Sequence, residues 1–149
     1  MPTLEEGSIA PDFSAKDEKG NLISLKDFIG KKQVILYFYP KDDTPGCTIE
    51  ACNFRDHFRQ YKSQNTQILG VSFDDSKSHQ NFIDKYQLPY PLLVDADRKI
   101  AQAYGVEGDK YPSRDTIVID QEGKIKKIFR QVDPKNHSTE LLSLLETST

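Results

Sequence analysis

Val34-Ile-Leu-Tyr-Phe-Tyr39 runs directly into Pro40-Lys-Asp-Asp-Thr-Pro-Gly-Cys-Thr-Ile-Glu-Ala-Cys52, and the character of the chain changes sharply between the two halves. Six consecutive apolar, β-favouring residues stopped by a proline have the pattern of a strand buried on both faces. A polar turn follows, then a helical stretch from about Pro45 to Lys62 in which Phe54, Phe58 and Tyr61 recur at helical spacing. That aromatic stripe reads as core. A doubly buried strand leading into a helix points to a sheet covered on both sides.

The flanking sequence repeats the alternation. Ile68 to Phe73 is a second buried strand ended by Asp74-Asp75, and Ser76 is placed to cap a helix carrying Phe82, Ile83 and Tyr86 that stops before Pro89. Leu92 to Val94 reads as a third strand, and Asp97 to Tyr104 as a short helix ended by Gly105. Thr116 to Ile119 and Ile125 to Val132 form a hairpin, after which Asn136 caps a last helix with Leu141, Leu142, Leu144 and Leu145. Upstream, Phe13 to Ala15, the turn Asp17 to Asn21 and Leu22 to Leu25 make an N-terminal β-hairpin. The expectation is an α/β fold, a central mixed β-sheet flanked by helices, forming one domain over residues 1–149.

Net charge is −3, with 20 basic and 23 acidic side chains interspersed, so no basic stripe suits a nucleic-acid backbone. The apolar run Val34–Tyr39 falls far short of the ~20 residues of a membrane-spanning helix, and the acidic amino terminus has no leader-like stretch. A trimmed organellar chain would look the same, so cytoplasm is the expected compartment with that alternative open. Two cysteines do not make a disulfide scaffold, and Cys47 and Cys52 are therefore read for their chemistry.

Thr44 followed by Pro45 reads as a helix N-cap with proline at the first helical position, which puts Cys47 in the first turn. Amides there lack intrahelical partners and the positive end of the helix dipole lies close, both favouring thiolate over thiol. Asp42 and Asp43 oppose this, so a cation from elsewhere is expected. Arg114, just before the strand that begins at Thr116, is the candidate. It is suited to hold a thiolate and to donate to a peroxide oxygen, and the Thr44 hydroxyl can donate or accept beside it. The competing role for Arg114 is an ion pair with Asp115. Asp42-Asp43 and Asp74-Asp75 read as solvated turns.

On an intact helix, residues five apart have Cα atoms ~8.6 Å apart, beyond the ~6.8 Å limit for a disulfide. Cys47 and Cys52 can bond only if the helix between them unwinds. The separation suits a two-step reaction, in which one thiolate is oxidised to a sulfenic acid and a second thiol then condenses with it. Three alternatives share these cysteines. A disulfide reductase is disfavoured because it would use a Cys-x-x-Cys pair. A redox-switched binding module stays open. A structural metal is disfavoured because Cys47, Cys52 and His57 fall on different helix faces, and His79 and His137 have no ligand pair beside them in the sequence.

Pro40, Thr44 and Cys47, spaced as proline, three residues, threonine, two residues, cysteine, together with Cys52 and Arg114, make the whole chain resemble the peroxiredoxins. Within them it is similar to the atypical two-cysteine branch called bacterioferritin comigratory protein or peroxiredoxin Q. The resemblance implies a thioredoxin-like fold, hydrogen peroxide and organic hydroperoxides as substrates, and no cofactor or metal. It implies Cys47 as nucleophile and Cys52 as resolving thiol, with Thr44, Arg114 and Pro40 shaping the site. Thioredoxin or a similar dithiol would be the reductant, and a monomer the expected state. Glu50 also matches a family position, as an orienting group.

Overall fold

The computed structural model describes residues 4–147. Strands β1 (Ser14–Lys16) and β2 (Leu22–Ser24) pair antiparallel as the expected N-terminal hairpin, its turn shaped by Asp17, whose carboxylate accepts from the amides of Lys19 and Asn21. The main sheet holds β3 (Gln33–Phe38), β4 (Thr66–Ser72), β5 (Leu92–Val94), β6 (Thr116–Ile119) and β7 (Ile125–Phe129) in the order β5-β4-β3-β6-β7. The first three are parallel, and β6 and β7 close the sheet antiparallel. Helices α1 (Pro45–Asp56), α2 (Phe58–Ser63), α3 (Ser76–Tyr86), α4 (Lys99–Ala103) and α5 (His137–Thr147) complete it. Among the described residues no helix is long and apolar enough to cross a membrane.

The apolar run is continuous because β3 is central and covered on both faces. Val34, Leu36 and Phe38 join one core layer with Phe13 of the hairpin side and Ile100 and Ala101 of α4. Ile35, Tyr37 and Tyr39 point the other way, into a layer with Ala51 and Phe54 of α1, Tyr61 of α2, Phe82 of α3 and Leu141 of α5. Each of the large aliphatic and Phe side chains among them contributes ~1.5–3 kcal/mol relative to exposure.

Four local expectations are corrected. The helix drawn from Pro45 to Lys62 breaks at His57 (φ −100°, ψ 10°), whose Nδ1 hydrogen-bonds the Ser138 hydroxyl of α5 at 2.8 Å. Asp75 rather than Ser76 caps α3, accepting from the Ser78 amide, while Ser76 is the first helical residue. α4 starts at Lys99 because Arg98 is left-handed, and Asp95 accepts from the Ile100 and Ala101 amides. β7 ends at Phe129, short of Val132, because the chain turns at left-handed Gln131 and its next amides bond the Asp115 carboxylate and the Arg114 carbonyl.

Candidate active site

β3 runs out between its two neighbours: the Phe38 amide bonds the Asp115 carbonyl and the Tyr39 amide the Val71 carbonyl. Pro40, half-buried, then ends the ladder, since it has no amide to donate. The turn that follows lies at the carboxyl end of the strand and delivers the chain to α1. Thr44 occupies the N-cap position and Pro45 the first helical one, as expected. Its hydroxyl, however, donates to the Lys41 carbonyl at 2.9 Å and makes no cap bond to the helix. The oxygen lone pairs of Thr44 are thus left to accept.

Cys47 is the third residue of α1 and is 1% exposed. Arg114, carried in just ahead of β6, places Nη2 3.4 Å from the Cys47 Sγ and Nη1 2.8 Å from Glu50 Oε1. The planar guanidinium therefore bridges two residues one helical turn apart on α1. Gly46 makes room for it: a β-carbon there would lie 3.1 Å from Arg114 Nη2. The competing ion pair to Asp115 does not form. The Asp115 carboxylate instead accepts from Arg130 Nη1 at 2.9 Å, from the Ser113 hydroxyl and from the Gln131 amide, leaving Arg114 free to face α1.

Glu50 is 1% exposed, and its second oxygen has no hydrogen-bond partner. Burial pushes its carboxyl up to about 7, and the neighbouring Arg114 pulls the other way without overcoming it. Cys52, half-buried on the same unbroken helix, is a free thiol like Cys47. Burial raises its pKa above the ordinary 9.0, against a weaker opposing pull from Arg55. The Tyr90 hydroxyl, which meets that of Tyr37 at 2.8 Å, donates to the Ala51 carbonyl beside it.

Two readings of acidic and histidine residues are revised. Asp42 is buried rather than solvated, and Asp43 is tied to Lys85 Nζ at 2.8 Å and to the Tyr86 hydroxyl at 2.9 Å. Asp75 alone of the Asp74-Asp75 pair is exposed, because Asp74 turns inward to accept from the Ser72 hydroxyl and the Asp42 amide. His79 does have carboxylates near it, Asp42 and Asp74, but the group is knit by hydrogen bonds as an ion pair. No local pattern announces this cluster; its members are brought together across 32 to 37 residues.

The chain that carries this arrangement, a helix-start thiol held by a bridging arginine with a second thiol one and a half turns on, is similar to known proteins along its length. The AhpC/TSA family profile matches residues 7–128. A chloroplastic peroxiredoxin Q of Triticum aestivum is 42% identical over 147 residues, covering 96% of this chain and 67% of the wheat protein. That of Arabidopsis thaliana is 44% identical over 149 residues, covering 97% and 68%. The peroxidoxin BcpB of Mycobacterium tuberculosis superposes with a TM-score of 0.92 at 30% identity, covering 98% of this chain and 99% of that one. Peroxiredoxin Q of Xanthomonas campestris gives 0.88 at 30% identity, with 97% and 96% covered. With the strand order, the thioredoxin-like sheet and likeness along nearly the whole length all in agreement, the chain belongs to the AhpC/TSA family, in its peroxiredoxin Q branch, and is a thiol-dependent peroxidase.

Proposed function

We propose that Cys47 is the peroxidatic nucleophile and Cys52 the resolving thiol, acting within one helix of one thioredoxin-like domain. The Cys47 thiolate attacks the outer oxygen of a hydroperoxide. The O–O bond breaks, the alkoxide or hydroxide leaves and takes up a proton, and Cys47 becomes a sulfenic acid. The observation that carries this is the Cys47 Sγ seated 3.4 Å from Arg114 Nη2 in the first turn of α1. Arg114 holds the thiolate and offers N–H groups to the oxygen on which charge develops. Thr44, its hydroxyl already donating to the Lys41 carbonyl, accepts from the O–H of the peroxide. Pro40 ends the strand without an amide and walls the pocket.

The Cys52 thiol then condenses with the sulfenic acid, forming the S–S bond and releasing water. Since both cysteines lie on intact α1, this step requires the helix between them to unwind. An external dithiol, thioredoxin or a protein like it, reduces the disulfide and is itself oxidised. Both thiols belong to one chain, so a monomer suffices for the cycle, and a reducing compartment such as cytoplasm suits the resting state. The test is stopped-flow oxidation by hydrogen peroxide with intact-mass readout. Cys52→Ser is expected to halt at a sulfenic acid and Cys47→Ser to stay unreacted; equal, free-thiol rates in wild type and both variants would overturn the assignment.

A further inference from the structure

The turn that presents Cys47 is held from behind by a buried pair that takes no part in the chemistry above. Asp42 lies five residues before Cys47, and its carboxylate is fully engaged. One oxygen accepts from the Tyr39 hydroxyl, the other from the Ser78 hydroxyl at 2.8 Å and from His79 Nδ1 at 2.7 Å. The Asp42 amide donates to Asp74 Oδ2 at 2.8 Å. His79 is 0% exposed, and its other nitrogen faces the Leu93 carbonyl at 2.8 Å. A carbonyl only accepts, so Nε2 carries a hydrogen. Nδ1 faces a carboxylate already accepting from two hydroxyls, so it donates as well. The pair is an imidazolium and a carboxylate, both charges buried and both hydrogen-bonded.

We infer that Asp42 and His79 are positioning residues for the peroxidatic thiol, clamping the Lys41–Thr44 turn to α3 and β5 so that α1 begins where Cys47 meets Arg114. The neighbouring contacts act in the same direction. Asp43 is left-handed at φ 58°, a conformation uncommon for a non-glycine residue, and Lys85 and Tyr86 of α3 hold its carboxylate. Thr44 closes the turn on Lys41. Arg114 reaches Cys47 from the opposite side of β3, so the 3.4 Å contact depends on two independently anchored segments meeting. A misplacement of ~1 Å at a reacting group costs on the order of 100-fold in rate. The clamp also lies outside the helical residues that must unwind, so it marks the fixed end from which α1 rewinds after reduction.

The charge state of the pair makes the idea testable. Hydrogen bonding and charge from Asp42, with Leu93 and Asp74, raise the His79 pKa above the usual 6.5 although burial opposes them. The groups facing the ring are Asp42 on the turn, Asp74 after β4 and the Leu93 carbonyl on β5, with the Ser78 and Tyr39 hydroxyls on Asp42. Because its folded-state pKa is raised, the imidazolium persists to higher pH than in the unfolded chain, and the clamp is lost as pH rises through that value.

The experiment measures two things on the reduced wild-type protein across pH 5–10: the His79 ring shifts by NMR, and the rate of Cys47 alkylation and peroxide oxidation. Both reactions are expected to fall about tenfold or more on the alkaline side, at the pH where His79 loses its proton. His79→Gln and Asp42→Asn each strand one buried charge and are expected to lose stability and reactivity. The double variant removes both charges, and is expected to regain stability while lacking that alkaline fall. Titration of His79 with no accompanying change in Cys47 reactivity, or a folded variant with the wild-type rate and pH profile, would overturn the inference. The inference rests on Cys47 as the attacking thiol; a wild type that alkylates normally but ignores peroxide would instead defeat the assignment of Cys47.

Discussion

Replacing Glu50 by Gln separates what that residue does for the reaction from what it costs the fold. The carboxyl is 1% exposed, with one oxygen on Arg114 and the other unpaired. Its pKa rises from an ordinary 4.5 to about 7. A raised folded-state value means the neutral form is favoured by folding, so its stability contribution is complete below 4.5 and is lost as pH rises through about 7. Each pH unit across that interval is worth ~1.4 kcal/mol, which gives a total of ~3 kcal/mol.

Gln introduces its own unpaired amide, a penalty of ~1–3 kcal/mol that does not change with pH. The signature is therefore the difference between wild type and Glu50→Gln: it should shift in favour of the variant by ~3 kcal/mol between pH 4.5 and 8 and level off above. At ~2–4 °C per kcal/mol for a chain of this size, that is roughly 6–12 °C in relative Tm. Thermal melts of the reduced proteins at several pH values measure it. Peroxide oxidation of Cys47 should meanwhile slow several-fold in the variant at pH 8, because a neutral hydrogen bond restrains Arg114 about half as well as a charged one. A stability difference that stays flat across pH 4.5–8 would refute the reasoning.

Gly46→Ala puts a β-carbon 3.1 Å from Arg114 Nη2, so the guanidinium must withdraw by a few tenths of an ångström. Peroxide oxidation should slow several-fold while the helix gains up to ~1 kcal/mol, a split that stopped-flow and melting curves read together. Oxidation to the Cys47–Cys52 disulfide should abolish hydrogen-exchange protection between those residues, and unchanged protection would contradict the helix geometry. Beyond Cys52 the end of α1, tied by Asn53 to the Pro134 and Lys135 carbonyls and by Arg55 to the Tyr86 carbonyl, should stay protected in the same experiment. Because burial raises the Cys52 pKa, its condensation with the sulfenic acid should quicken as pH climbs from 7 towards 9, visible by mass spectrometry as a shorter sulfenic-acid lifetime.

What could be read from the chain alone shares one property: it repeats or terminates locally. The continuous apolar run of β3, the proline stops at Pro40 and Pro89, the hairpin turn at Asp17–Asn21 and the Thr44-Pro45 helix start are each written within a few residues. The spacing of Pro40, Thr44, Cys47 and Cys52 belongs to the same class, and so the chemistry was legible early. Arg114 was legible as a cation at a strand entry, but not its choice between Asp115 and Cys47. That choice depends on Arg130 occupying Asp115, and on Glu50 standing one turn beyond Cys47. The helix break at His57 had no Gly or Pro to announce it, and the residue is held there by Ser138 of α5. Asp42 looked like a solvated turn residue until β4, α3 and β5 closed around it. Sequence periodicity encodes which face of an element is apolar, and so it determined the strands and the helices, while the spacing of Pro40, Thr44, Cys47 and Cys52 carried the resemblance to the peroxiredoxins. Burial, ion-pair choice and the raised carboxyl of Glu50 depend on groups up to 67 residues apart meeting in a low-dielectric interior, and only the assembled sheet decides which of them meet.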